Sequence, residues 1–177
     1  MQLFISEEFL QYLWQYRLYD KDNLLTQNGQ KVTVISPGSK NNDAGPDFFN
    51  AKIKIGETTW VGNVEVHIHS SDWNKHGHQN DDAYNNVVLQ VVENNDIEIK
   101  RPKNDEIIPT AVLKYDKKLR QKYDELLRNN TTWIPCEPHI NKVNEMTVSF
   151  WLNKLLVERL EQKAGRIKQR LSQNKNN

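Results

Sequence analysis

One stretch limits what this chain can fold into: Trp60-Val61-Gly62-Asn63-Val64-Glu65-Val66-His67-Ile68-His69. In a β-strand successive side chains point to opposite faces. Val64, Val66 and Ile68 therefore share one face, and Glu65, His67 and His69 share the other. The first face is apolar and suited to packing. The second sets a carboxylate and two imidazoles, all able to bind metal, in alternate positions. A half-exposed strand with ordinary polar residues outward would give the same pattern with no chemistry, so the neighbouring residues have to decide.

Those neighbours form the other half of a hairpin. Ala51-Lys52-Ile53-Lys54-Ile55 alternates in the same way, Gly56-Glu57-Thr58 reads as a tight turn, and Gly45-Pro46-Asp47-Phe48-Phe49 puts an acid at the mouth of the first strand. Register then controls the chemistry. If Ile55 pairs with Thr59, Asp47 falls opposite His67 and on the face of Glu65. If Ile55 pairs with Trp60, Asp47 falls opposite Ile68 on the other face, because a one-residue slip reverses every side chain. A bulge near Phe48 would restore the first arrangement.

The rest of the chain supplies helices and further strands. Ser6 is an N-cap, Glu7 and Glu8 suit the positive end of a helix dipole, and Phe9, Leu10, Leu13, Trp14 and Leu18 make an apolar stripe. Glu7 or Glu8 could also lend a carboxylate to a site. Asn28-Gly29 marks a turn before a strand at Lys31–Ile35, and Pro37 to Asp43 reads as a loop. Ser70–Asn80 is a loop rich in His and Asn, and Asp81–Tyr84 a short helical turn. Val87–Val92 is almost continuously apolar, as in a strand buried on both faces. Weaker strands are expected at Ile97–Lys100 and Ile107–Leu113, helices at Asp116–Arg128 and from the Asn144 cap to about Leu171, and a rigid connector at Trp133–Pro138.

At 177 residues the chain is one domain or one with an appendage. We expect residues 1–113 to form the α/β core and residues 114–177 a helical extension, the start of a longer region. From Trp151 onward seven cations face two anions, a net +5, which leaves −4 for everything before it when the whole chain carries +1. A single cysteine, Cys136, forms no internal disulfide and reads as a small buried residue. With no signal peptide or long apolar run, a soluble, cytoplasmic protein with no membrane partner is expected.

The order helix, strand, strand, strand, turn, buried strand, with Pro46-Asp47 opening the second strand and Glu65-Val66-His67 inside the third, resembles the core of the PD-(D/E)XK nuclease superfamily over about Ser6 to Val92. The expected fold class is therefore α/β with a mixed sheet (α+β), a restriction-endonuclease-like core with C-terminal helices. His67 departs from the lysine of that motif. Gly45–Phe48, Trp60–His67 and Ser70–Trp73 followed by His76 and His78 also resemble a bacterial family of unknown function whose members are longer. That resemblance implies no activity.

Function is thus argued from the residues. Asp47 and Glu65 are the expected ligands of a hard divalent cation, Mg²⁺ or Mn²⁺, which takes carboxylates, waters and a phosphate oxygen. Asp47, Glu65 and His67 form the expected catalytic set of a metal-dependent nuclease or nuclease-like nucleic-acid-binding protein, with His67 as base or imidazolium. His69, Asp72, His76 and His78 are auxiliary candidates. Because His67, His69, His76 and His78 crowd together, a Zn²⁺-type, cupin-like histidine site is the alternative. Asp72 would otherwise cap the next turn, and Trp60 and Trp73 are expected to pack or close the hairpin edge. A third possibility is a catalytically inactive interaction module. Leu152, Leu155, Leu156, Leu160, Ala164, Ile167 and Leu171 form a stripe suited to a homodimer, while Lys163, Arg166, Lys168 and Arg170 would meet the phosphates of DNA or RNA.

Overall fold

The computed structural model describes residues 5–128 and 140–174. Cys136 and the connector at Trp133–Pro138 lie outside them. The chain divides into two compact units between Tyr123 and Asp124.

The first unit is built on a mixed six-stranded sheet. Helix α1 (Glu7–Tyr16) starts where expected: the Ser6 hydroxyl accepts a bond from the Phe9 amide, and Arg17 ends the helix at φ 55. Its Phe9, Leu10, Leu13 and Trp14 are all fully buried. Strands β1 (Val32–Ser36), β3 (Phe48–Ile55) and β4 (Thr58–His69) form an antiparallel meander, with the two-residue β2 (Ser39–Lys40) pairing the start of β3 inside the expected loop. The hairpin turn is Gly56-Glu57, one residue shorter than expected, because Ile55 pairs with Thr58. Helix α2 (Asp72–Lys75) and two 3-10 turns, His78–Asn80 and Asp82–Asn86, then lead to β5 (Val87–Asn94), which runs parallel to β4. Strand β6 (Thr110–Val112) adds to β5, again in parallel. The strand expected at Ile97–Lys100 is absent; that segment contributes a single bridge, Lys100 to Ile107.

Two apolar clusters sandwich the sheet. On one side α1 packs with Phe48, Ile53, Val64, Val66, Leu89 and Val91. On the other, Trp73, Tyr84, Val87, Ile99 and Ile108 form a smaller cluster. Strand β4 is thereby buried on both faces from Gly62 to His67, so the face of Glu65 and His67 does not meet solvent as a half-exposed strand would. Trp73 packs as expected, fully buried; Trp60 is 41% exposed, because the tip of the hairpin extends past both clusters.

Helix α3 (Lys117–Arg128) brings Leu119 and Tyr123 against the larger cluster and Arg120 over the ring of Phe9. In the second unit, helix α4 (Glu145–Asn174) is capped by Asn144, whose Oδ1 accepts from the Met146 amide at 2.8 Å. No helix among the described residues is long and apolar enough to cross a membrane.

Candidate functional site

A β-bulge places Asp47. From Ile55↔Thr58 to Ala51↔Gly62 the hairpin keeps one register, and continuing it would set Asp47 beside Val66, on the packing face. The register shifts before Phe48↔Val64. At the shift Asn50 adopts φ 56, and its amide donates to Asn63 Oδ1 at 3.4 Å. The extra residue turns Asp47 toward Glu65. Neither simple register holds, and the bulge does what a direct pairing would have done. The Asp47 amide donates to Glu65 Oε2 at 3.1 Å, and the Val66 amide donates to Asp47 Oδ2 at 3.0 Å. From α1, Gln11 Nε2 donates to Asp47 Oδ1 at 2.8 Å.

The segment between β4 and β5 brings in the histidines, and the Ser70-Ser71-Asp72-Trp73 motif is its footing. Buried Ser70 accepts from the amides of Asp96 and Ile97, each at 2.9 Å, and its hydroxyl lies 2.8 Å from Asp96 Oδ1 and from the Ile97 carbonyl. Asp72 accepts from the His69 amide at 2.9 Å and from Lys75 Nζ at 2.6 Å, a structural staple. Trp73 stands edge-on to His78 and Tyr84, and His78 stacks on Tyr84 with ring centres 3.8 Å apart.

Three imidazoles converge here. One ring nitrogen from each of His67, His76 and His78 lies within 4.8 Å of the others. His67 and His78 are buried, and His76 is exposed. Glu65 Oε1 is 3.5 Å from His67 Nε2 and 3.3 Å from His78 Nε2. These approaches lie within ion-pair range, yet neither has hydrogen-bonding geometry, so both Nε2 atoms are buried with no hydrogen-bond partner. Behind His67, Nδ1 lies 2.9 Å from Gln90 Nε2, and Thr110 Oγ1 donates to Gln90 Oε1 at 3.2 Å. His69 points elsewhere, its Nδ1 3.3 Å from Asn94 Nδ2.

Burial sets the electrostatics. It pushes the Glu65 carboxyl up to about 8, and the Asp47 carboxyl up to about 7 with the Glu65 charge adding to the effect. It pulls His67 down to about 3, helped by His78 and His76, and lowers His78 as well. Glu7 is raised by burial, with His76 opposing and Asp47 and Asp72 adding. The site disfavours net charge of either sign on its own groups. His67 is therefore a neutral imidazole, a base or a ligand, and not the imidazolium that would replace a lysine.

Asp47, Glu65, His67, His76 and His78 are brought together; His69 and Asp72 serve the scaffold. Sequence reasoning missed Gln11 and Gln90, neutral amides that no motif marks. Gln11 lies one helical turn after Glu7, a spacing that puts both on one side of α1. Lys163, Arg166 and Lys168 are exposed on α4, and Arg170 lies in the same helix. A family profile described as "Protein of unknown function (DUF2851)" matches residues 7–177. No curated protein and no solved structure matches the chain.

Proposed function

Because the chain belongs to the DUF2851 family, whose description assigns no activity, function has to come from the site, and we propose a divalent-metal-dependent phosphodiester hydrolase with a nuclease-like core. The observation that carries it is the meeting of Asp47 and Glu65 across adjacent strands, with His67 one position further along the same face. A buried and a half-buried carboxylate held at such raised pKa values gain most from a cation. A divalent cation bound there would supply Lewis acidity toward a phosphate oxygen and acidify its water. Gln11 orients Asp47, and the backbone amides of Asp47 and Val66 fix the two carboxylates. Neutral His67 can orient the attacking water by a hydrogen bond, the water's proton passing to solvent.

Substrate class rests on element order. Helix, antiparallel meander, crossover and parallel strand, with one acid just before the second strand of the meander and one on the third, resembles the PD-(D/E)XK core, in which two acids and a lysine cleave phosphodiesters; His67 stands here in the lysine's place. The test is cleavage of labelled single- and double-stranded DNA and RNA with Mg²⁺ or Mn²⁺. We expect cleavage that falls by about 100-fold or more in Glu65→Gln and Asp47→Asn. No cleavage of any of the four substrates, or cleavage unchanged in Glu65→Gln, would overturn the proposal.

A second reading, an interaction module, is favoured by α4. Its large apolar residues run from 37% exposed at Val148 to 79% at Met146. Self-association through this helix and phosphate binding by Lys163, Arg166, Lys168 and Arg170 belong to that reading.

A further inference from the structure

We infer that His67, His76 and His78, with Glu65 as fourth ligand, form a site for a borderline transition cation of the Zn²⁺ type, rather than the oxygen-only site that suits Mg²⁺. The inference deepens the function proposed above: it rests on that reading for the metal requirement, not for the substrate, and it makes His67 a metal ligand in place of the group that acts on the water.

Ligand chemistry is the first argument. Three imidazoles and one carboxylate match the nitrogen-rich sets that hold Zn²⁺ and its neighbours in the first transition row, whereas Mg²⁺ takes oxygen and resists dehydration. The second is the pair of buried Nε2 atoms. His67 is 1% exposed and His78 9%, both Nε2 atoms lack a hydrogen-bond partner, and both lie within 3.5 Å of the same oxygen, Glu65 Oε1. Packing alone would be served as well by phenylalanine. The third is access, since His76 is exposed and can close the set from the solvent side.

Geometry shows what must move. Bonds of about 2.0–2.1 Å in a tetrahedron put ligand nitrogens roughly 3.3 Å apart, so the 4.8 Å spread has to contract, most simply by rotation of exposed His76. His67 must also keep its proton on Nδ1 when Nε2 is a ligand. Gln90 now presents its amide nitrogen to Nδ1 and, at 3.3 Å, to the Ser70 carbonyl; turned over, the same carboxamide would accept from Nδ1–H and donate to Thr110 Oγ1 at the cost of the Ser70 bond. The Thr110 hydroxyl would retain the Ile108 carbonyl, 3.4 Å away. Gln90 is thus a positioning residue that selects the His67 tautomer, in the manner of the outer partners of metal-bound histidines.

The test titrates the full chain, first stripped with chelator, with Co²⁺ as a spectroscopic stand-in and with Zn²⁺ in competition. We expect one equivalent bound with the intense visible absorption of four-coordinate Co²⁺, displaced by Zn²⁺. His76→Ala, an exposed change that leaves the core intact, should lose at least about 100-fold in affinity. Gln90→Leu should lose about 10–100-fold, and Gln90→Glu, which always offers Nδ1–H an acceptor, should retain binding. Co²⁺ binding that is absent, or no weaker in His76→Ala, would overturn the inference. Mg²⁺- or Mn²⁺-dependent cleavage without Co²⁺ binding would overturn it while leaving the hydrolase intact. Tight Co²⁺ binding without cleavage of nucleic acid would support the site and remove only the hydrolase.

Discussion

Glu65 carries two opposed demands, and they set a measurable cost. Its carboxyl titrates near 8 and that of Asp47 near 7, against 4.5 and 3.8 for free groups, so the native state holds protons that the unfolded chain has released. Groups raised in this way stabilise the fold at low pH and lose that contribution as pH rises through the folded values. His67 acts in reverse: with its pKa lowered from 6.5 to about 3, its contribution is complete above 6.5 and fades as pH falls toward 3. Above about pH 6.5 only the carboxylates still change. The metal-free protein should therefore lose thermal stability from about pH 6.5 to 8.5, and saturating Zn²⁺ should flatten that slope. Glu65→Gln keeps an acceptor for the Asp47 amide and removes the charge. It should raise the metal-free Tm at pH 8.5 by roughly 2–4 °C, the equivalent of about 1 kcal/mol in a chain of this size, and abolish stabilisation by metal. Calorimetric scans with chelator and with metal check both, and a Tm lowered by the substitution would mean that the buried charge is already compensated. At this scale the sequence was partly legible. Strand alternation alone put Glu65 and His67 together, and the run of histidines supplied His76 and His78. Gln11 and Gln90 were invisible because an amide acquires its role from what long-range pairing sets beside it.

At the scale of elements, the hairpin depends on two backbone devices that composition does not announce. The first is the bulge at Asn50, without which the observed register would turn Asp47 onto the packing face. Asn50→Val, whose β-branched side chain opposes the φ 56 of the bulge, should leave the sheet folded, judged by far-ultraviolet circular dichroism, and reduce Co²⁺ affinity or cleavage by about tenfold or more, because the unbulged register turns Asp47 away from Glu65. Full activity in Asn50→Val would show that the bulge does not set the part Asp47 plays. The second device is Gly62. A Cβ there would lie 2.4 Å from Val88 Cγ1 and 2.6 Å from the Asn86 carbonyl, so only glycine lets β4 meet the start of β5. Gly62→Ala should cost about 1–3 kcal/mol, read from chemical denaturation, since the carbonyl cannot yield as a side chain would. Helix α1, the hairpin and β5 were legible from periodicity and caps. The extra strand β2, the loss of Ile97–Lys100 and the short turn were not, because two-residue pairings and single bridges depend on tertiary position more than on local preference.

For the whole molecule, the described helix of the second unit has to be explained together with the first unit's chemistry. Helix α4 spans 30 residues, about 45 Å, and exposes Phe150, Leu152, Leu156, Leu160, Ile167 and Leu171 to more than half of their area. Burying each would contribute on the order of 1.5–3 kcal/mol, a strong drive toward a partner surface. We expect that surface to be the same helix of a second copy, with Lys163, Arg166 and Lys168 left outward. Light scattering should then give about twice the 20.8 kDa of one chain, and Leu156→Glu with Leu160→Glu should return it to the single value. If the exposed cations meet phosphate, affinity for labelled DNA or RNA should fall steeply between about 50 and 200 mM salt, and replacing those three cations with alanine should flatten the salt dependence. Loss of pairing and loss of nucleic-acid binding are separable: the glutamate variant tests the first, the alanine variant the second. A single-chain mass with no salt-dependent binding to either nucleic acid would remove both, and the metal site of the first unit would stand on its own.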